Sequence, residues 1–163
     1  MGPDAARPAA HEDVDEVAAL ADARRREYER YQPAFWRPAE DALERHRTYL
    51  DGLVDAGDHV FLVVREAGRL SGFILGRLVA APPVYEPGGP TCLVDDFAVA
   101  GPQLWGSVGP ALLRALGEHA GQRGAVQAVV VTARLDAAKR RALEAAGLTV
   151  ASEWWVAPID RLR

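Results

Sequence analysis

Cysteine is almost missing from this 163-residue chain. Cys92 stands alone, which excludes an internal disulfide and any cysteine-based metal site. The four histidines, His11, His46, His59 and His119, lie too far apart for metal-ligand spacing, so no metal is expected. No stretch approaches the roughly 18 consecutive apolar residues that span a bilayer. Met1 to His11 lacks the basic-then-apolar pattern of a secretory signal, so a soluble, cytoplasmic protein away from membranes is expected. A large excess of one charge is missing too. Lys and Arg number 19 against 23 Asp and Glu, for a net charge of −4, which speaks against a nucleic-acid partner.

What is present is ordinary globular material: 49% apolar and 26% charged residues, without repeats, low-complexity tracts or a linker. One domain over residues 1–163 is the expectation. Arg7-Pro8-Ala9 starts extended, because a residue before proline is biased toward β. His11-Glu12-Asp13 opens a helix with acids in its first turn, and Val14, Val17, Ala18, Ala21 and Tyr28 form its apolar stripe. Pro33 ends it. Pro38 is expected to start a second helix with Leu43, Leu50, Leu53 and Val54 on one face and Gly57 as its C-terminal cap.

Beyond Gly57 the period shortens to that of strands. His59 to Glu66 and Arg69 to Ala80 read as a hairpin turning at Ala67-Gly68, and Thr91 to Val99 as a third strand after the Pro82 to Pro90 loop. Pro110 to Gln122 reads as a helix with Leu112, Leu113, Leu116 and Ala120 inward. Val126 to Thr132 reads as a central strand, Asp136 to Ala146 as a helix capped by Gly147, and Leu148 to Ala157 as a last strand. The order β-α-α-β-β-β-α-β-α-β makes an α/β protein with a mixed central sheet flanked by helices.

Chemistry concentrates between Val94 and Leu113. A strand ending in Phe97-Ala98-Val99 feeds the turn Leu104-Trp105-Gly106-Ser107-Val108-Gly109 and then a helix start. Free N–H groups at such a start can hold an anion such as a pyrophosphate. Asp95 and Asp96 sit in a strand, where aspartate is poorly suited. Alternation would put them on opposite faces, with one reaching a cleft. Either they anchor the hairpin through polar contacts, or one accepts a proton in catalysis.

This stretch, with Arg7-Pro8-Ala9 before His11-Glu12-Asp13, Gly72 in the second strand of the hairpin, and Ala142 to Leu148 with its Gly147, resembles the GNAT family of N-acyltransferases over nearly the whole chain. The resemblance implies the GNAT fold, acetyl-CoA as cosubstrate, and acetyl transfer to a primary amine by direct attack without metal. It implies that Phe97, Ala98 and Val99 pair with the pantetheine arm like an added strand, and that N–H groups from Leu104, Trp105, Gly106, Ser107, Val108 and Gly109 hold the pyrophosphate. It also implies strands splayed near Val99 and Val129, Asp96 (or Asp95) as base or substrate anchor, and an acceptor bordered by the first two helices and the Pro82 to Pro90 loop. Tyr85, Glu86 and Tyr31 are the substrate-contact candidates, and a homodimer is the family-like expectation.

Three departures stand out. The family's loop reads Arg or Gln, two residues, Gly, one residue, Gly or Ala, whereas this chain has Leu104, Ser107 and Gly109. Pro110 removes one N–H. Leu143 stands where many relatives carry a tyrosine acid. A GNAT-fold protein that binds acyl-CoA or a partner without turnover is therefore the alternative. The aromatics Tyr28, Tyr31, Phe35 and Trp36 are read as helix packing or an acceptor wall. Trp154-Trp155 is read as core on one face and a dimer or cleft surface on the other, and Lys139-Arg140-Arg141 as a solvated helix face or a contact to the nucleotide.

Overall fold

The computed structural model describes residues 5–163, so the first four residues of the N-terminal reading lie outside it. Five strands form one sheet in sequence order: β1 Arg7–Pro8, β2 His59–Glu66, β3 Arg69–Val79, β4 Thr91–Val99 and β5 Gln127–Val130. The first four pair antiparallel, and β5 runs parallel to β4. The β2–β3 turn takes positive φ at both Ala67 and Gly68, the backbone of a type I′ turn that suits the twist of a hairpin.

Helices α1 (Val14–Tyr31) and α2 (Ala42–Leu53) cover one face. Val17, Ala18, Ala21, Leu50 and Leu53 pack there on Phe61, Val63, Phe73, Leu75 and Ala98. Helices α3 (Val108–Gly121) and α4 (Ala137–Ala145) cover the other. Leu112, Leu116 and Leu143 meet Leu62, Ile74, Val94, Phe97 and Val99 on that side. Each fully buried Leu, Ile, Val or Phe here removes enough apolar surface from water to contribute about 1.5–3 kcal/mol. Gly72 lets α3 approach the sheet: a Cβ there would lie 2.9 Å from Val108 Cγ1 and 3.0 Å from the Ala98 carbonyl.

Entry into α1 is fixed by charge. Asp13, fully buried, accepts from both Arg7 Nη atoms (2.8 and 2.9 Å), from Arg65 Nη1 (2.8 Å) and from the Ala10 N–H. Burial alone would raise its carboxyl, but these donors overcome it and hold the group below its ordinary value.

The structure corrects several sequence expectations. Helix α2 starts at Ala42, after a turn, rather than at Pro38, and Leu43 is exposed. Gly57 is not a left-handed cap, whereas Gly147 is, with φ +86° and the Leu148 N–H donating back to the Leu143 carbonyl. Strand β5 is an edge strand, not a central one. Leu148 to Ala157 forms no strand and lies almost wholly exposed after α4. Trp154 and Trp155 are both exposed, so neither is core.

Candidate functional site

The cleft begins with the Asp95–Asp96 pair. Against β3, Leu75 faces Asp96 while Gly76 faces Val94, so Asp95 is the extra residue of a β-bulge. A bulge bends its strand and resets side-chain alternation. Val94 therefore packs toward α3, while Asp96, two residues on, turns to the α1/α2 face, where it meets His46. Burial raises the Tyr49 phenol of α2, and the nearby Asp95 and Asp96 charges add to the rise.

The same bend separates β4 from β5. Their ladder runs from Thr91–Gln127 to Val94–Val130 and ends with the Val131 N–H on the Val94 carbonyl. Beyond it the strands part, so Val129 lies in the paired region and the opening starts past Val131. Ala100 donates to the Ser71 carbonyl, so Ala98, two residues back, also turns its amide and carbonyl to β3. Phe97 and Val99 present theirs to the opening.

Lys139 fills the mouth of that opening. Its side chain comes from the first turn of α4 and is only 3% exposed, contrary to the solvated-face reading. Nζ donates to the Phe97 carbonyl at 3.0 Å and the Val131 carbonyl at 3.0 Å, joining the last facing groups of the two strands. It sits 5.3 Å from the centre of the Phe97 ring and 5.9 Å from that of Trp105. Burial, only partly offset by Asp136 and Asp96, lowers its pKa to about 8.

Asp96 is held from the opposite side. Arg25 lies 2.9 Å from His46 Nδ1, and a guanidinium can only donate, so Nδ1 accepts. The ring proton is then on Nε2, which lies 3.1 Å from Asp96 Oδ2. Asp22 in turn accepts from Arg25 at 3.0 Å. His46 therefore stands between the Arg25 guanidinium and the Asp96 carboxylate. His46 was passed over in the sequence because it lies fifty residues from Asp96, and only the packing of α2 on β4 joins them.

A second polar group ties α1 to the α4 start. Asp136 caps α4 by accepting from the Lys139 N–H (3.2 Å), and also accepts from Tyr28 Oη (2.9 Å) and Arg24. Burial pushes the Tyr28 phenol up to about 12. Its ring packs on Tyr31 and Trp36, and Phe35 packs on Trp36 and Trp154. Tyr31 donates to Glu27 at 2.8 Å.

The turn before α3 is a 3-10 segment, Pro102–Gly106. Within it the Leu104 N–H is spent on the Gly101 carbonyl and the Ser107 N–H on the Leu104 carbonyl. At the start of α3 the N–H groups of Val108 and Gly109, both buried residues, have no backbone acceptor among the described residues. Trp105 is buried edge-on against Phe97, with ring centres 4.9 Å apart, and so does not obstruct the turn. A side chain at Gly109 would strike it at 3.0 Å. Between Trp105, Gly106, Pro110 and the α4 residues Arg141, Ala142 and Ala145 lies a cavity of about 380 Å³.

A larger cavity, about 510 Å³, lies beside the paired part of β4 and β5 and is lined by Val79, Tyr85, Glu86, Thr91, Leu93, Gln127 and Val129. Tyr31 does not line it. Among the described residues no cluster of His, Cys, Asp or Glu could hold a metal ion, and no helix is long and apolar enough to cross a membrane.

No protein-family model and no curated protein matches the chain. Solved structures do. A mutant form of the BH1408 protein from Bacillus halodurans superposes with a TM-score of 0.81 at 16% identity, covering 94% of this chain and 98% of that one. A predicted acetyltransferase with acetyl-CoA from Clostridium acetobutylicum gives 0.71 at 15%, covering 96% of each chain. AAC(6')-Iy in complex with a bisubstrate analogue, CoA-S-monomethyl-acetylneamine, gives 0.68 at 12%, covering 97% of this chain and 98% of that one. The chain has the GNAT fold. Its structural neighbours thus include one predicted acetyltransferase with acetyl-CoA and one protein in complex with a CoA-containing bisubstrate analogue.

Proposed function

We propose that this protein is an N-acetyltransferase that moves an acetyl group from acetyl-CoA to a small primary amine by direct attack. The observation that carries the reading is the parted end of β4 and β5, with the Asp96 carboxylate on one side and the Lys139 ammonium in the gap. A proton acceptor and a proton donor thus flank the one place where backbone groups of β4 stand open.

The residues present suit acetyl-CoA. The N–H groups of Val108 and Gly109, at the positive end of α3, would bind the pyrophosphate. The cleft-facing amides of Phe97 and Val99 would pair with the pantetheine arm, and Arg141 would face the nucleotide from the α4 side of the smaller cavity. Bound there, acetyl-CoA supplies an activated acyl thioester. The Val99 N–H would polarise the thioester carbonyl.

Asp96, beside His46, takes the proton that the amine must lose as its nitrogen bonds to the acyl carbon. Lys139 protonates the departing thiolate. Its pKa of about 8 is close to that of a thiol, and it stands in for the tyrosine that Leu143 does not provide. Asp95 and Glu86 make the acceptor side acidic, which favours a cationic amine. Tyr85 and Glu86 would contact it in the larger cavity, with Tyr31 bounding the approach from α1.

A second reading, a binder without turnover, draws on two observations. Lys139 already holds the Phe97 carbonyl, and the phosphate turn lacks the family's cation and first glycine. The test is incubation with acetyl-CoA and a panel of amines while free thiol is monitored. Turnover is expected, and Asp96→Asn should lower it about 10²–10⁴-fold. Coenzyme binding without thiol release for any amine, and no effect of Asp96→Asn, would establish the binder instead.

A further inference from the structure

Lysine is used once in this chain. Of the 19 basic residues all the others are arginines, so Lys139 carries the only side-chain primary amine. A guanidinium stays charged, whereas a buried lysine gives up its proton readily and becomes a nucleophile. The single lysine is not on the surface. It is 3% exposed, at the place where β4 and β5 part, among the rings of Phe97 and Trp105.

Two acceptors fix the position of its nitrogen, the Phe97 and Val131 carbonyls, each at 3.0 Å. A neutral amine has two N–H groups, one for each carbonyl, and keeps its lone pair uncommitted. The surroundings make that form accessible. Asp136 and Asp96 favour the charge and Arg24 opposes it, but burial outweighs all three and brings the pKa to about 8. Phe97 is also where the pantetheine arm would pair with β4. Residues two apart along a strand are separated by roughly 7 Å, so an arm paired with Phe97 and Val99 carries its thioester past Nζ.

We infer that Lys139 is a self-acetylation site, taking the acetyl group of acetyl-CoA held in the same opening when no acceptor amine is present. The neutral Nζ attacks the acyl carbon. Its N–C bond forms, the C–S bond breaks, and the proton lost by Nζ goes to the departing thiolate. The products are Nε-acetyl-Lys139 and coenzyme A, with no further reactant. An amide is a far poorer acyl donor than a thioester, so the modified chain accumulates. It no longer holds an ammonium that could protonate a thiolate. The step rests on acetyl-CoA binding as proposed above.

The purified full chain is incubated with acetyl-CoA alone, just above pH 8, and its intact mass is followed. One acetyl group per chain is expected, and fragmentation should place it on Lys139 rather than on the terminal amine. It should form at least about tenfold faster than on the same chain unfolded in guanidinium chloride, where the lysine is no longer held beside a thioester. Excess coenzyme A should slow it. A thermal shift with coenzyme A, run in parallel, separates two kinds of failure. Coenzyme A binding with Lys139 unmodified, with acetyl only on the terminal amine, or with equal rates in folded and unfolded chains, overturns self-acetylation and leaves acetyl transfer standing. Neither binding nor acetylation overturns both.

Discussion

At the scale of single residues, a lysine buried between two strand carbonyls has a measurable signature. Below about pH 8 both folded and unfolded chains keep the Lys139 proton, and the folded chain bears the full cost of an interior charge. Between about 8 and the ordinary value of 10.5 the folded chain has lost that proton while the unfolded chain retains it, so stability rises with pH. Tyr28 acts in the opposite sense. Its phenol is pushed up to about 12, so above the ordinary value of 10.0 the unfolded chain ionises first and stability falls. The urea midpoint should therefore climb between pH 8 and 10, by roughly 1–3 kcal/mol of stability, and Lys139→Met should abolish the climb. Equal slopes for the two proteins would show that Lys139 is not the titrating group. Lys139 was in principle legible: it precedes the buried Leu143 by four residues and so shares its helix face. The neighbouring Arg140 and Arg141 made the run look solvated. His46 carried no such signal, because nothing in its local sequence points to Asp96.

At the scale of elements, the packing of α3 on the sheet decides where the anion-binding helix start falls. A methyl at Gly72 would also lie 3.2 Å from Leu112 Cδ1, besides its closer contacts with Val108 and the Ala98 carbonyl. The carbonyl belongs to β4 and cannot turn aside. Gly72→Ala should cost about 1–3 kcal/mol in urea unfolding, and should weaken coenzyme A binding because Val108 opens α3. An unchanged midpoint would mean that α3 shifts freely, contrary to a close-packed interface. The strands of the hairpin and β4 were readable because β-branched and aromatic residues run in blocks between turn residues. The bulge was only half readable. Two aspartates in succession marked an irregularity, but the flip of Asp96 to the α1/α2 face follows from the mismatch of β4 against β3.

For the whole molecule, the parted strands, the α3 start and Arg141 make one groove only if a ligand bridges them. Coenzyme A at about a hundred times its dissociation constant should then stabilise the chain by about 2.7 kcal/mol, a rise in melting temperature of about 5–10 °C for a chain of this size. Arg141→Ala should shrink that rise, and no rise with coenzyme A or acetyl-CoA would remove the basis for acetyl transfer. The sequence by itself determined the mixed sheet, the apolar stripe of α1, the hairpin at Ala67-Gly68 and the acids within β4, because these rest on periodicity, turn chemistry and neighbours along the chain. The tertiary structure alone decided that His46 meets Asp96, that Lys139 bridges β4 and β5, and that the last segment leaves the sheet unfinished. Those three depend on groups far apart in sequence, and on competition for strand edges and carbonyls that a local pattern does not encode.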